Sequence, residues 1–452
     1  LRAYIIVDLG FGDAGKGLLT DFLARRCHAG LVVRYNGGAQ AGHNVVTADG
    51  RQHTFAQFGS ATFIPGVRTY LSQHVVIHPG ALLVEGDLLV QNGVPDAFSR
   101  LRMSDRALVI TPYHQAANHL RELARGQQRH GSCGVGVGEA VEDALQTPAE
   151  SVRAGDLMNP ATLRRKLRAI RERKREQLLG AYGRHVFSGA LAHEWQFFEQ
   201  GGVDEAWIAS ISRIRELGLV TSDDVLRSWL CQTETALFEG AQGVLLDADA
   251  GFHPYTTWSC CTTENARHIL HEMAPQAQLL QVGIMRSYAV RHGPGPLPTE
   301  TPGLAGLIHE HNQRNEWQGH VRYGWFDAVL ARYALASVGK LDALALTHLD
   351  VLPRLKAWQY CAGYTGLPAI PEIYDSGGPE PMRHLRLAPS LTLAQREKVT
   401  QALFSATPLL ETCEASEERV MSKVEALVEQ PVAIISRGPM AADVEVLRPL
   451  PA

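Results

Sequence analysis

Tyr4-Ile5-Ile6-Val7-Asp8-Leu9, followed by Gly10-Phe11-Gly12-Asp13-Ala14-Gly15-Lys16-Gly17, is the stretch on which the fold reading turns. The apolar run reads as a buried strand, the glycines as a turn, and a helix is expected from about Lys16 to Arg26. Gly10, Gly15 and Lys16 satisfy the spacing G-x-x-x-x-G-K in the strand–loop–helix context that makes it a phosphate loop. Glycines let backbone N–H groups and a helix N-terminus converge on an anion, and Lys16 adds a full positive charge. Gly17 departs from the pattern, because a phosphate loop normally carries there the Ser or Thr hydroxyl that binds Mg²⁺. Another oxygen is therefore expected. Asp13 places a carboxylate against an anion site, which is unfavourable unless a metal or a substrate proton lies between.

Outward from this loop, short apolar runs recur between helical patterns: Leu31 to Tyr35, Leu108 to Thr111, Ala236 to Glu239, Gln278 to Ile284, Ala343 to Leu346 and Val432 to Ile435. This alternation predicts an α/β fold, a large mostly parallel sheet with flanking helices, read as one domain over residues 1–452. A helical subregion is expected at about 155–235. There Leu163, Leu167, Ile170 and Leu178 share a helical face, and arginines and lysines between 164 and 175 cover the rest. Glutamates among those cations point to a solvated face instead of a nucleic-acid site.

The 452 residues are 45% hydrophobic and 20% charged, the balance of a soluble globular chain, and the net charge of −4 gives no global pull toward nucleic acid or anionic membrane. Phosphate binding must come from local donors. Seven cysteines without C-x-x-C spacing indicate neither a disulfide framework nor a zinc site and fit a reducing cytoplasm. No apolar run reaches the roughly 18 residues of a membrane span. The chain opens on Leu1 and enters a strand pattern at once, so no cleavable signal is expected within it.

Gly12-Asp13-Ala14-Gly15-Lys16-Gly17 closely resembles the signature GDEGKG of the adenylosuccinate synthetase family, and Val33-Arg34-Tyr35-Asn36-Gly37-Gly38-Ala39-Gln40-Ala41-Gly42-His43-Asn44 resembles its second signature, VRYxGGxNAGH. The likeness continues in order through Glu239 to Gly243, Pro254 to Thr257, Arg291 with Gly293 to Glu300, Gly324 to Asp327, Leu346 to Leu352 and Ser436 to Pro439. The resemblance implies a GTP-dependent ligase that phosphorylates O6 of an IMP-like nucleotide and then displaces the phosphate with the amine of aspartate. It implies Asp13 as the base that removes the N1 proton, His43 as the acid at O6, and Mg²⁺ held by Asp13 and the Gly42 carbonyl. It places GTP on Gly12, Gly15, Lys16, Gly17, Gly42, His43, Asn44, His348, Asp350, Ser436, Gly438 and Pro439. Asp350 is the carboxylate that would pair with guanine N1–H and the 2-amino group. The purine acceptor falls on Asp13, Lys16, Gln40, Ser132, Cys133, Arg153, Gln242 and Thr257. A homodimer is implied as well.

Two stretches depart from the family. Its donor loop, of the form TTTGRxRRxGW, is Glu316-Trp317-Gln318-Gly319-His320-Val321-Arg322-Tyr323-Gly324-Trp325 here, leaving Arg322 where several guanidiniums would clamp a dicarboxylate. Its GTTGRG is Gly131-Ser132-Cys133-Gly134-Val135-Gly136, and a family lysine is replaced by His348. Three readings stay open on sequence: the ordinary enzyme, a divergent paralog with another amine donor or purine acceptor, and a catalytically silent GTP-binding protein.

Overall fold

The structure is a computed structural model that describes residues 1–126, 129–308, 317–374, 381–388 and 390–450. Ten strands form the main sheet: β1 (Arg2–Asp8), β2 (Leu31–Arg34), β3 (Arg68–Leu71), β4 (Leu101–Ser104), β5 (Val220–Thr221), β6 (Thr235–Glu239), β7 (Gln278–Arg286), β8 (Ala343–Thr347), β9 (Val432–Ser436) and β10 (Val444–Val446). Their order across the sheet is β10-β9-β8-β7-β1-β6-β2-β3-β4-β5. Every neighbouring pair is parallel except β9 with β10. Both faces of the inner strands are covered, which is why β1, β2 and β6 read as unbroken apolar runs instead of alternating ones.

In β1, Ile6 lies opposite Glu239 of β6 and Val282 of β7, so the loop after β1 emerges at the middle of the sheet. The first helix, Lys16–Arg26, begins after Gly15, whose φ of 97° is a left-handed conformation that glycine adopts without strain.

The run Leu108 to Thr111 is not a strand of the main sheet. Only Leu108–Val109 is extended, pairing with Val76–Ile77 in a separate two-stranded sheet. Thr111 caps the helix Pro112–Arg125, and Pro112 at its first position ends the strand early. Sequence patterning also passed over β3, β4 and the antiparallel pair Trp358–Thr365 with Thr407–Cys413.

Between Ala154 and Cys231 the chain is mostly helical, and its longest helix is Pro160–Tyr182. Leu163, Leu167, Ile170 and Leu178 are buried on it. Its basic residues are not all solvated, however. Lys174 is fully buried, 2.7 Å from Glu139 and 2.9 Å from Asp143, and Arg173 lies 2.8 Å from Asp143. The carboxylates come from the neighbouring helix Val137–Gln146, so this face joins two helices electrostatically.

Candidate active site

The loop between β1 and the first helix is shaped from below by Asp8. This buried carboxylate accepts from the backbone N–H of Gly10 at 2.9 Å and of Ala14 at 3.0 Å, and from Lys16 Nζ at 2.8 Å. A strand ending in a fully buried Asp is satisfied by the loop it starts. Asp13 sits at φ 59°, its carbonyl accepting from Arg286 Nε at 2.6 Å. Burial alone would raise its carboxyl, but His292, Arg286 and Lys16 hold it well below the usual range. Asp13 is therefore ionised at neutral pH.

The missing hydroxyl at Gly17 has a steric cause. A Cβ there would come within 3.0 Å of Asn44 O and of the His43 backbone and Cβ. The strand His43–Val46 thus lies directly on the helix N-terminus, bringing Gly42, His43 and Asn44 to the phosphate loop. Asn44 itself turns aside, its Oδ1 accepting from Gln52 at 3.1 Å.

His43 is buried, with Nδ1 2.6 Å from Glu239 Oε1 at the end of β6. Glu239 also accepts from the Ser60 backbone N–H at 3.0 Å and from its hydroxyl. Against its burial, Arg34, His43 and Ser60 hold the Glu239 carboxyl down at about 2. Burial, with Arg34 and Lys16 nearby, pushes His43 below its ordinary value despite that carboxylate. Glu239 thus fixes Nδ1 as the donor and leaves Nε2 for the cavity. Sequence reasoning quoted Glu239 without giving it a role; a carboxylate closing an apolar strand was the available signal.

Asp13 and His43 line one cavity of about 1000 Å³. Gly12, Lys16, Gln40, Gly42, Ser132, Cys133, Gln242 and Thr257 line it too. The side-chain oxygens of Gln40 and Gln242 are buried without a hydrogen-bond partner, a costly state that a bound ligand's N–H or O–H would relieve. Burial pushes the Cys133 thiol up to about 11, so it enters as a neutral group. Arg153 lies elsewhere in this chain, donating to Arg106 O at 2.6 Å.

Asp350 and the segment from Ser436 follow neighbouring strands β8 and β9, beyond the same sheet edge as the phosphate loop. That is where parallel sheets bind ligands. Asp350 is exposed; partial burial raises its carboxyl, Arg354 and Arg286 opposing. Ser436 Oγ donates to Gly438 O at 2.9 Å, curling the backbone toward Pro439. His348, at φ 59°, folds back instead of projecting outward: its Nε2 lies 2.9 Å from Arg286 Nη2. Burial and Arg286 push it well below its ordinary value, so it accepts as a neutral imidazole.

Where the resemblance places the amine donor, the guanidiniums are engaged mainly with backbone. Arg322 donates to Gly293 O at 2.9 Å, Gly295 O at 2.7 Å and Glu300 at 2.7 Å. Fully buried Arg291 donates at 3.0 Å to Pro294 O, Pro296 O and Tyr255 O, and stacks 4.2 Å over Phe11. Glu316 lies outside the described residues. Trp317 stacks on His119 with ring centroids 3.9 Å apart, and His119 Nε2 lies 2.7 Å from Gly134 O, tying the two divergent stretches together.

The family model described as adenylosuccinate synthetase matches residues 5–444. The chain belongs to the adenylosuccinate synthetase family. Two adenylosuccinate synthetases are similar over almost their whole length. The one from Chlorobium chlorochromatii is 34% identical over 97% of this chain and 95% of its own. The one from Nitrosomonas europaea is 31% identical over 97% and 96%. The structure of fully ligated adenylosuccinate synthetase from Plasmodium falciparum superposes with a TM-score of 0.75 at 20% identity, covering 99% of this chain and 100% of that one, and shares the fold. As a member of the adenylosuccinate synthetase family the chain is a GTP-dependent carbon–nitrogen ligase acting on small molecules. The comparisons favour neither a changed substrate pair nor a silent GTP binder.

Proposed function

We propose that this chain makes adenylosuccinate from IMP, aspartate and GTP, with Asp13 as base and His43 as acid. The observation that carries the reading is that these two side chains line one cavity, each tied from behind by other polar groups. The ionised Asp13 carboxylate takes the N1 proton, and O6, now electron-rich, attacks the γ-phosphorus of GTP. The loop N–H groups and Lys16 hold the phosphates, while His43 Nε2 hydrogen-bonds the transferring group and O6. A phosphate dianion beside His43 raises its proton affinity, so the imidazole gains its proton when the substrate arrives. The amine of aspartate then adds to C6 and phosphate departs, a far better leaving group than the original oxygen.

In this assignment Asp350 reads guanine, with Ser436, Gly438 and Pro439 beside it, and His348 supports that wall through Arg286. Gln40, Gln242, Thr257, Ser132 and Cys133 contact the acceptor nucleotide. Arg322 serves the amine donor by holding the Gly293 and Gly295 carbonyls in place. A Mg²⁺ site of one carboxylate, one carbonyl and nucleotide phosphates fits Asp13 and Gly42, because Gly17 lets the Gly42 strand approach the loop. Bound there, Mg²⁺ would neutralise charge on the phosphates. We also assign the enzyme to the cytoplasm as a homodimer. Its seven cysteines are unpaired, and no helix among the described residues is long and apolar enough to cross a membrane.

The test is to incubate purified protein with Mg²⁺, GTP and IMP, with and without aspartate, following GDP release and product mass. Aspartate-dependent adenylosuccinate is expected. GDP release without that product, or turnover only with another amine, would overturn the assignment.

A further inference from the structure

His292 closes the strand Ala289–His292, which pairs antiparallel with Val321–Gly324 so that Arg291 faces Arg322 and His292 faces Val321. Arg291 and Arg322 anchor the Gly293–Gly295 backbone on either side. The imidazole between them is left pointing into the cavity that Asp13 lines. Its Nε2 lies at an ion-pair distance of 3.1 Å from Asp13 Oδ2, and both ring nitrogens are buried without a formed hydrogen bond, so a small turn of the ring would complete the Nε2–H···Oδ2 bond.

The Asp13 backbone is fixed by Arg286 at the carbonyl, and a base must present one carboxylate oxygen along the N–H bond it breaks, so the direction in which that carboxylate faces matters.

We propose that His292 is a positioning residue for Asp13, donating Nε2–H to Oδ2 and so presenting Oδ1 to N1 of the purine. The inference rests on the reaction proposed above. In the step concerned, the N1–H bond breaks and its proton passes to Oδ1. The electron pair moves through C6 to O6, a bond forms between O6 and the γ-phosphorus, and the bond to the β,γ-bridging oxygen breaks, releasing GDP. His292 neither gains nor loses a proton. It fixes the angle at which Asp13 meets N1.

The test compares full-length His292→Leu, His292→Asn and His292→Gln with the wild type and Asp13→Asn. The amide N–H of Gln reaches about as far as Nε2, and that of Asn does not. Besides kcat and KM, exchange of an ¹⁸O label between bridging and non-bridging positions of GTP is followed with IMP and Mg²⁺ but no aspartate, isolating the activation step. Leu and Asn should slow kcat and label exchange together by roughly 10–100-fold. KM for GTP and the melting temperature should stay unchanged, and Gln should restore most of the rate. Wild-type exchange in the Leu or Asn variant, a loss confined to KM, or Gln no better than Asn would overturn the positioning role alone, provided the wild type makes adenylosuccinate and Asp13→Asn does not. A wild type that makes no adenylosuccinate overturns the parent reaction and this role with it.

Discussion

The two walls of the cavity use charge in opposite ways. On the phosphate-loop wall each polar side chain has a partner behind it: Lys16 has Asp8, Asp13 has His292 with Arg286 on its backbone carbonyl, and His43 has Glu239. On the wall formed by the 291–296 segment, Arg291 and Arg322 donate mainly to carbonyls of that loop, with Tyr255 O and Glu300 as further acceptors. The first wall orients side chains toward the cavity. The second uses charge to hold main chain in shape. Arg291, a buried guanidinium with three carbonyl partners, is a structural part of the loop.

The sharpest way to break this contrast is Asp13→Asn, which removes the proposed base with little change of volume. A fall in kcat of roughly 10³-fold is expected with the melting temperature preserved; an active variant would remove the catalytic meaning of the first wall. Glu239→Gln should cost roughly 10²-fold in kcat, because His43 loses the partner that selects its tautomer.

That variant also carries a pH test. Glu239 has a folded value of about 2, below the usual value of 4.5 for Glu, so its stabilising contribution is complete above 4.5 and fades as pH falls toward 2. The stability gap between wild type and Glu239→Gln in urea melts should shrink over that window by about 3 kcal/mol. A gap independent of pH would mean the carboxylate is no better placed in the fold than in water.

The smallest expected effect comes from the second wall. Arg291→Met should lower unfolding stability by about 2 kcal/mol by orphaning carbonyls, and act on KM for the amine more than on kcat. Burial pushes Arg291 down only to about 9, with Arg322 adding to the effect, so it remains charged at neutral pH. An unchanged melting temperature would show that these carbonyls find other donors.

The strand–loop–helix at Tyr4 to Arg26 and the parallel sheet were legible in the sequence, because a strand buried on both faces leaves an apolar run that little else imitates. Leu108 to Thr111 misled because Thr111-Pro112 starts a helix inside the apolar stretch. β3 and β4 escaped because Arg68, Thr69 and Arg102 interrupt their apolar pattern. For the site, Gly10, Gly15 and Lys16 stand out by spacing, and Asp13, His43 and Gln242 through the resemblance of their segments to the family signatures. Their supports do not, since Asp8, Ser60, Glu239 and His292 come from separate elements and meet only through tertiary packing.

Gly17 carries one more consequence. With no side chain between them, the start of the first helix and the His43–Asn44 backbone lie in close contact. Close packing transmits displacement, so a shift of the phosphate cradle is expected to carry the imidazole with it. A methyl group inserted there would give the two parts separate motions.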